Sequence, residues 1–84
     1  MSYSLLKVRR KKDGKVLYDL ITDSCDAHDL FDYDTKEHIF GGMEWDIGYY
    51  MSGFRPNSEY EKLEMDDMST EEWRNLVNEL CANR

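Results

Sequence analysis

Asp13-Gly14 sits between two stretches that alternate apolar and polar residues, and this turn signal constrains the fold more than any other feature of the chain. Both residues tolerate positive φ, which a tight antiparallel turn needs. Tyr3 to Arg10 therefore reads as one strand and Lys15 to Thr22 as its return. Val16, Tyr18 and Leu20 fall on one face of the returning strand, and Leu17, Asp19 and Ile21 on the other. The first hairpin spans residues 3–22.

The other firm signal lies at the far end. Ser69-Thr70-Glu71-Glu72 is a capping box: the Ser69 hydroxyl accepts from the amide at 72, and Glu72 reaches back to the cap amide. Acids at 71 and 72 also suit the positive end of the helix dipole. Trp73, Leu76, Val77, Leu80 and Cys81 follow at i, i+3, i+4, i+7 and i+8, one apolar stripe, so a helix is predicted over 70–82.

The middle is less regular. Two readings stand for Asp23 to Asp34, within an acidic segment 23–37: a short helical turn capped by Asp23 or Ser24 and holding Ala27, Leu30 and Phe31 at helical spacing, which is preferred, or an irregular acidic loop. Gly41-Gly42 reads as a second turn, giving a hairpin over 35–51. In its second arm Met43, Trp45, Ile47 and Tyr49 alternate with Glu44, Asp46 and Gly48, the pattern of a strand with one wet face. Residues 59–65 read as a fifth, shorter strand after a loop containing Gly53, Pro56 and Asn57.

Length bounds the architecture. At 84 residues the chain is expected to form one domain, burying roughly 60–65% of its unfolded surface around a modest core. Parallel βαβ units need about 30 residues each, so most cofactor-binding folds are out of reach. Although 35% of residues are charged, 13% aromatics and 40% hydrophobic residues are too many for a disordered acidic chain. The expected class is α+β, a four- to five-stranded antiparallel sheet built from hairpins with one C-terminal amphipathic helix packed on it.

The longest stretch without charge, Ile47 to Phe54, has eight residues, whereas a membrane helix needs about 20. The apolar run Tyr3 to Leu6 precedes the basic residues, the reverse of a secretory signal. No membrane association is expected, and the cytoplasm is the expected location, that of the host if the gene is viral. Cys25 and Cys81 form no tight motif and fit reduced, buried thiols.

Motifs for chemistry are missing. There is no phosphate loop, dinucleotide fingerprint, HExxH or CxxC. Cys25 and His28 have a C-x2-H spacing with His38 ten residues on, but structural zinc sites show two tight ligand pairs. His28 stands beside Asp26 and Asp29, a juxtaposition that 18 acids produce by chance. Asp32-Tyr33-Asp34-Thr35-Lys36-Glu37 opens like a calcium loop and lacks its glycine. No catalytic residue, cofactor or metal is assigned, and the chain reads as a non-enzyme.

Charge is the remaining clue. The net charge of −7 divides into +5 over residues 1–18 and −12 over residues 19–84. The acids are interleaved with aromatics, as in Asp29-Leu30-Phe31-Asp32-Tyr33-Asp34 and Glu44-Trp45-Asp46, and Asp23, Asp26, Asp29 and Asp32 recur every three residues. Carboxylates steer association with a basic surface while aromatics anchor it. The candidate partner-binding residues are Asp26, Asp29, Asp32, Asp34, Glu44 and Asp46, with Phe31 and Tyr33 as anchors. The expected partner is a protein with a basic, nucleic-acid-binding surface, such as a nuclease, a polymerase or a defence component.

Two alternatives stand beside this reading. Arg9, Arg10, Lys11 and Lys12 at the hairpin tip form a phosphate-contacting set, although an overall −7 opposes attraction to nucleic acid. Basic tip and acidic face also suit a head-to-tail homodimer. In being small, acidic, rich in Met and aromatics and free of catalytic motifs, the chain is similar to small phage-encoded proteins that inhibit host enzymes or defence systems.

Overall fold

A computed structural model describes residues 3–22, 27–50 and 53–82. Strands β1 (Tyr3–Arg10) and β2 (Val16–Thr22) form the predicted hairpin, in register from Arg9 opposite Val16 to Tyr3 opposite Thr22. Gly14 takes a φ of 72°, and its N–H donates to the Arg10 carbonyl at 2.7 Å, closing the turn. Strands β3 (Ala27–Phe31) and β4 (His38–Met43) extend the sheet beyond β2, and β7 (Tyr60–Met68) joins it beside β1. The order is β4-β3-β2-β1-β7 and every pairing is antiparallel. Helix α1 (Thr70–Ala82) crosses one face, so the fold is the expected α+β class with a five-stranded sheet.

The helix begins as the capping box dictates. Ser69 Oγ accepts from the Glu72 N–H, and Glu72 Oε1 accepts from the Ser69 N–H, both at 3.1 Å. Leu76 and Leu80 are buried with Leu20 and Phe31, and Trp73 stacks on Tyr3 at 4.4 Å between ring centroids. Each fully buried Leu contributes roughly 1.5–3 kcal/mol. The stripe ends one residue early, since Cys81 is an exposed free thiol.

The middle of the chain departs from the sequence reading in three places. Ala27, Leu30 and Phe31 belong to an inner strand and not to a helical turn; the proposed caps, Asp23 and Ser24, lie outside the described residues. His28 and Leu30 face one side of the sheet, Asp29 and Phe31 the other. A strand covered on both faces loses the wet–dry alternation that identifies strands.

Gly41-Gly42 is not a turn. The β3–β4 connection is residues 32–37, closed by Asp32 N–H to Glu37 O at 2.9 Å and Lys36 N–H to Asp32 O at 2.7 Å. Both glycines lie inside β4, where a Cβ at Gly42 would sit 2.7 Å from Phe40 Cζ and 2.9 Å from Asp46 Oδ2. Space, and not positive φ, requires glycine there.

The continuous strand expected over Met43 to Met51 is broken at Glu44–Asp46, and Met51 lies outside the described residues. Asp46 Oδ2 accepts the Met43 N–H at 3.0 Å and the chain turns through a short 3-10 segment, Glu44–Asp46. A small ribbon follows, β5 (Tyr49–Tyr50) paired with β6 (Gly53–Phe54). This ribbon caps the face opposite the helix, burying Ile47 and Tyr49 against Leu6, Val8, Leu17, Ile21 and Leu30. The sheet face opposite the helix is therefore covered by a second core, to which Ile47 and Tyr49 contribute while Asp46 stays exposed. The fifth strand exists and runs farther than expected, to Met68, with a register shift opposite Lys7 and Val8.

Gly42→Ala is expected to destabilise the fold by about 1–3 kcal/mol through overpacking. At Gly53 a Cβ meets nothing within 4 Å, so Gly53→Ala should stay within about 0.5 kcal/mol of wild type. Urea unfolding distinguishes these outcomes; equal costs at both positions contradict the close-approach account.

Candidate functional site: an acidic cleft beside an open sheet edge

Three of the six hairpin bases, Arg9, Arg10 and Lys15, are paired with acids within the molecule, and Lys11 is engaged by a backbone carbonyl. Arg9 Nη1 meets Glu61 Oε1 at 2.9 Å, Lys15 Nζ meets Asp32 Oδ2 at 3.0 Å, and Lys11 Nζ donates to the Pro56 carbonyl at 2.9 Å. Arg10 grips Asp13 with two bonds, Nη2 to Oδ2 at 2.7 Å and Nε to Oδ1 at 3.1 Å. That grip, with the Lys15 N–H donating to the same carboxylate, holds the Asp13 pKa down at about 2. Exposed pairs of this kind add little to stability, but they spend charge that phosphate contact requires.

The predicted acidic residues do not form one row. Asp26 lies outside the described residues. Asp29 is half-buried on the helix side, with Oδ1 2.5 Å from His38 Nε2. Asp32 accepts the Asp34 and Thr35 N–H groups and organises the β3–β4 turn; these bonds and Lys15 hold its carboxyl below the usual range. Asp34 is exposed in that turn, while Glu44 and Asp46 sit beyond β4 in the 3-10 segment that leads to the opposite cover. Phe31 is 0% exposed and belongs to the core, so it is no surface anchor. Tyr33 is exposed, with its ring 4.7 Å from that of Tyr18 and beneath Lys36 Nζ at 4.0 Å.

The acids that the fold brings together are others. Asp66 and Asp67 at the end of β7 and Glu72 and Glu79 on α1 line one cavity of about 530 Å³, floored by Leu5, Met68 and Leu76 with Tyr33 at its side. Lys36 Nζ lies 3.6 Å from Glu79 Oε2. The Ser69 N–H keeps the Glu72 carboxyl below its ordinary range, so it stays ionised. Sequence reading missed this cluster because its two halves belong to different elements. The hint was Glu64-Met65-Asp66-Asp67 in a segment otherwise patterned as a strand, since Asp is depleted in strands.

Two further features surround the histidines. His28 and His38 point to opposite faces of the sheet, each against its own aspartate, which dissolves the metal-like spacing. Asp19 is 0% exposed and His28 2%. Asp19 Oδ2 lies 2.5 Å from His28 Nδ1, and Asp19 Oδ1 accepts the Asp29 N–H at 3.1 Å. Burial pushes the Asp19 carboxyl up, against the His28 ring and the Asp29 amide, which lower it. His28 Nε2 has no hydrogen-bond partner among the described residues and its ring lies 4.5 Å from that of Tyr49. On the helix side, an apolar groove of about 490 Å³ runs past the Asp29–His38 pair between Met43, Trp73, Val77 and Leu80. Among the described residues no helix is long and apolar enough to cross a membrane.

No protein-family model, curated protein or solved structure matches the chain.

Asp19→Ala removes one partner of a buried pair and is expected to cost about 3–5 kcal/mol in urea unfolding, whereas Asp34→Ala at the exposed turn should change stability by less than about 0.5 kcal/mol. Similar costs at both sites would refute the pairing. For Asp13 the sign follows from a depressed native value. Its contribution is present above the unfolded value of 3.8 and is lost as pH falls through about 2. An NMR pH titration should find its midpoint near 2 in wild type and higher in Arg10→Ala, moved toward 3.8 but short of it because the Lys15 N–H still donates; an ordinary midpoint in wild type contradicts the assignment.

Proposed function

We propose that this chain is a non-enzymatic acidic module that docks on the basic, nucleic-acid-binding surface of a partner protein and thereby inhibits or modulates it. The observation that carries the reading is the cleft. Asp66, Asp67, Glu72 and Glu79 line it together with Leu5, Met68 and Leu76, and Lys36 lies beside Glu79. Carboxylates around exposed apolar atoms suit a Lys/Arg-rich surface, where charge steers encounter and apolar contact slows release. A nuclease, a polymerase or a defence component presents such a surface.

The internal pairing of Arg9, Arg10, Lys11 and Lys15 favours this reading over direct nucleic-acid binding through the hairpin. His28, whose second ring nitrogen would be the base of an Asp–His pair, is sealed from solvent, which favours binding over catalysis. The exposed free thiol of Cys81 suits a reducing compartment such as the cytoplasm.

The test is titration of the fluorescently labelled chain against a panel of purified basic nucleic-acid-binding domains. At low salt, about 50 mM, at least one domain should bind and be displaced from its DNA or RNA; at about 300 mM binding should weaken by about tenfold or more. The double reversal Asp66→Lys/Asp67→Lys should weaken it by a similar factor. Binding by no domain at low salt, or binding indifferent to both salt and the double reversal, sinks the proposal.

A further inference from the structure

Among the described residues the sheet ends on β7, and no strand lies beside its outer edge. At nine residues β7 is the longest strand of the fold. Its start lies under the small ribbon, where Phe54 and Tyr60 rings are 6.0 Å apart. A register shift then separates this start from the rest. Past the shift, residues 64–68 pair with β1 without interruption, from Lys7 opposite Glu64 to Tyr3 opposite Met68. On the far side of these five residues, alternate backbone N–H and C=O groups point away from the sheet, a template for another strand.

Edges are usually blunted by Lys, Pro or short length. Residues 64–68 contain neither Lys nor Pro. They carry Glu64, Asp66 and Asp67, all exposed, together with Met65, which is 44% exposed. These charges choose between occupants. A second copy pairing edge to edge would set acid against acid, and like charges directly opposite are destabilising. A strand with Lys or Arg at alternate positions places opposite charges across from Glu64 and Asp66, on the face that leads to Glu72 and Glu79 in the cleft. Met65 offers a flexible apolar contact on the other face.

We infer that the Glu64–Met68 edge of β7 receives an extended, Lys/Arg-bearing segment of the partner as a sixth strand of the sheet. This rests on the docking function proposed above and specifies its mode: backbone hydrogen bonds supply affinity, and the carboxylates select a basic strand.

The probe is a synthetic peptide of about eight residues alternating lysine with valine or threonine, long enough for strand addition. Two derivatives carry N-methyl groups on the odd or the even amides, which block ladder hydrogen bonds on one edge of the peptide without changing its charge. The unmodified peptide should bind at low salt and slow hydrogen exchange at amides within 64–68. One N-methylated derivative should bind about tenfold or more weakly, while the other retains affinity. Asp66→Lys in the protein should weaken the unmodified peptide by a similar factor. If all three peptides bind alike, with salt sensitivity but no added protection in β7, strand addition is overturned and acidic docking stands. If no peptide binds at low salt, strand addition is overturned, and the panel of basic domains alone decides acidic docking.

Discussion

Strand β2 is buried on both faces, and most of the fold follows from covering them. Leu17 and Ile21 require a cover on one side, Leu20 and Tyr18 on the other. The helix supplies one. Its apolar stripe is long enough to reach Leu20 and Phe31, and its capping box starts it directly after β7. The second cover is assembled from an irregular segment that turns sharply at Asp46 and delivers Ile47 and Tyr49. Ser58 ties that segment down, because its Oγ donates to the Ile47 carbonyl at 2.6 Å and accepts the Tyr60 N–H at 3.2 Å. A single sheet of this size has too little apolar area on one face alone to offset chain entropy. Two thin cores, one on each face, are how a chain of 84 residues solves that problem.

Inside this arrangement Asp19 is a costly residue, since an acid in the core demands a partner. It finds one only because Ile21 stands opposite His28 and Asp19 opposite Leu30. Sliding β3 by one residue would turn His28 to the helix side and leave the carboxyl unpaired in the core. The pair therefore penalises the alternative register, and the second bond, from the Asp29 N–H, reinforces it. Asp29 then holds His38 on the other face, so one aspartate–histidine step follows another across β2, β3 and β4. His38 lies over Gly41, where a Cβ would come within 3.1 Å of its ring, so the glycine in β4 serves the second pair.

What the sequence revealed divides along the same line. The β1–β2 hairpin and α1 were legible because local chemistry decides them: a positive-φ glycine in one case, a reciprocal cap and a 3.6-residue stripe in the other. The region from Ala27 to Tyr50 was misread because tertiary covering decides it. Double burial erased the alternation of β3, and close packing put a glycine pair where a turn would also put one. The alternation of Met43, Trp45, Ile47 and Tyr49 suggested a strand, yet it marks a cover whose Trp45 is 69% exposed while Ile47 and Tyr49 are buried. The charge asymmetry was real in sequence but its meaning changed on folding. The +5 segment spends its cations on Glu61, Asp13 and Asp32, and the acids that converge come from Asp66 onward.

That redistribution bears on why an acidic strand is kept at the edge. Aspartate is a poor strand former, and two in succession weaken β7 where it has only one neighbour to hold it. If protection from aggregation were the sole requirement, lysine would serve with less loss of strand propensity and would lower the net charge of −7. Negative charge in that position disfavours pairing with a second copy of the chain and, in the mode proposed above, favours a strand of opposite sign. Helix α1 adds Glu72 and Glu79 to the same side, and its Glu72 is already committed to the ionised form by the cap. The cap that starts the helix thus also fixes a charge in the cleft, so in the docking mode proposed above folding and recognition would draw on the same carboxylate.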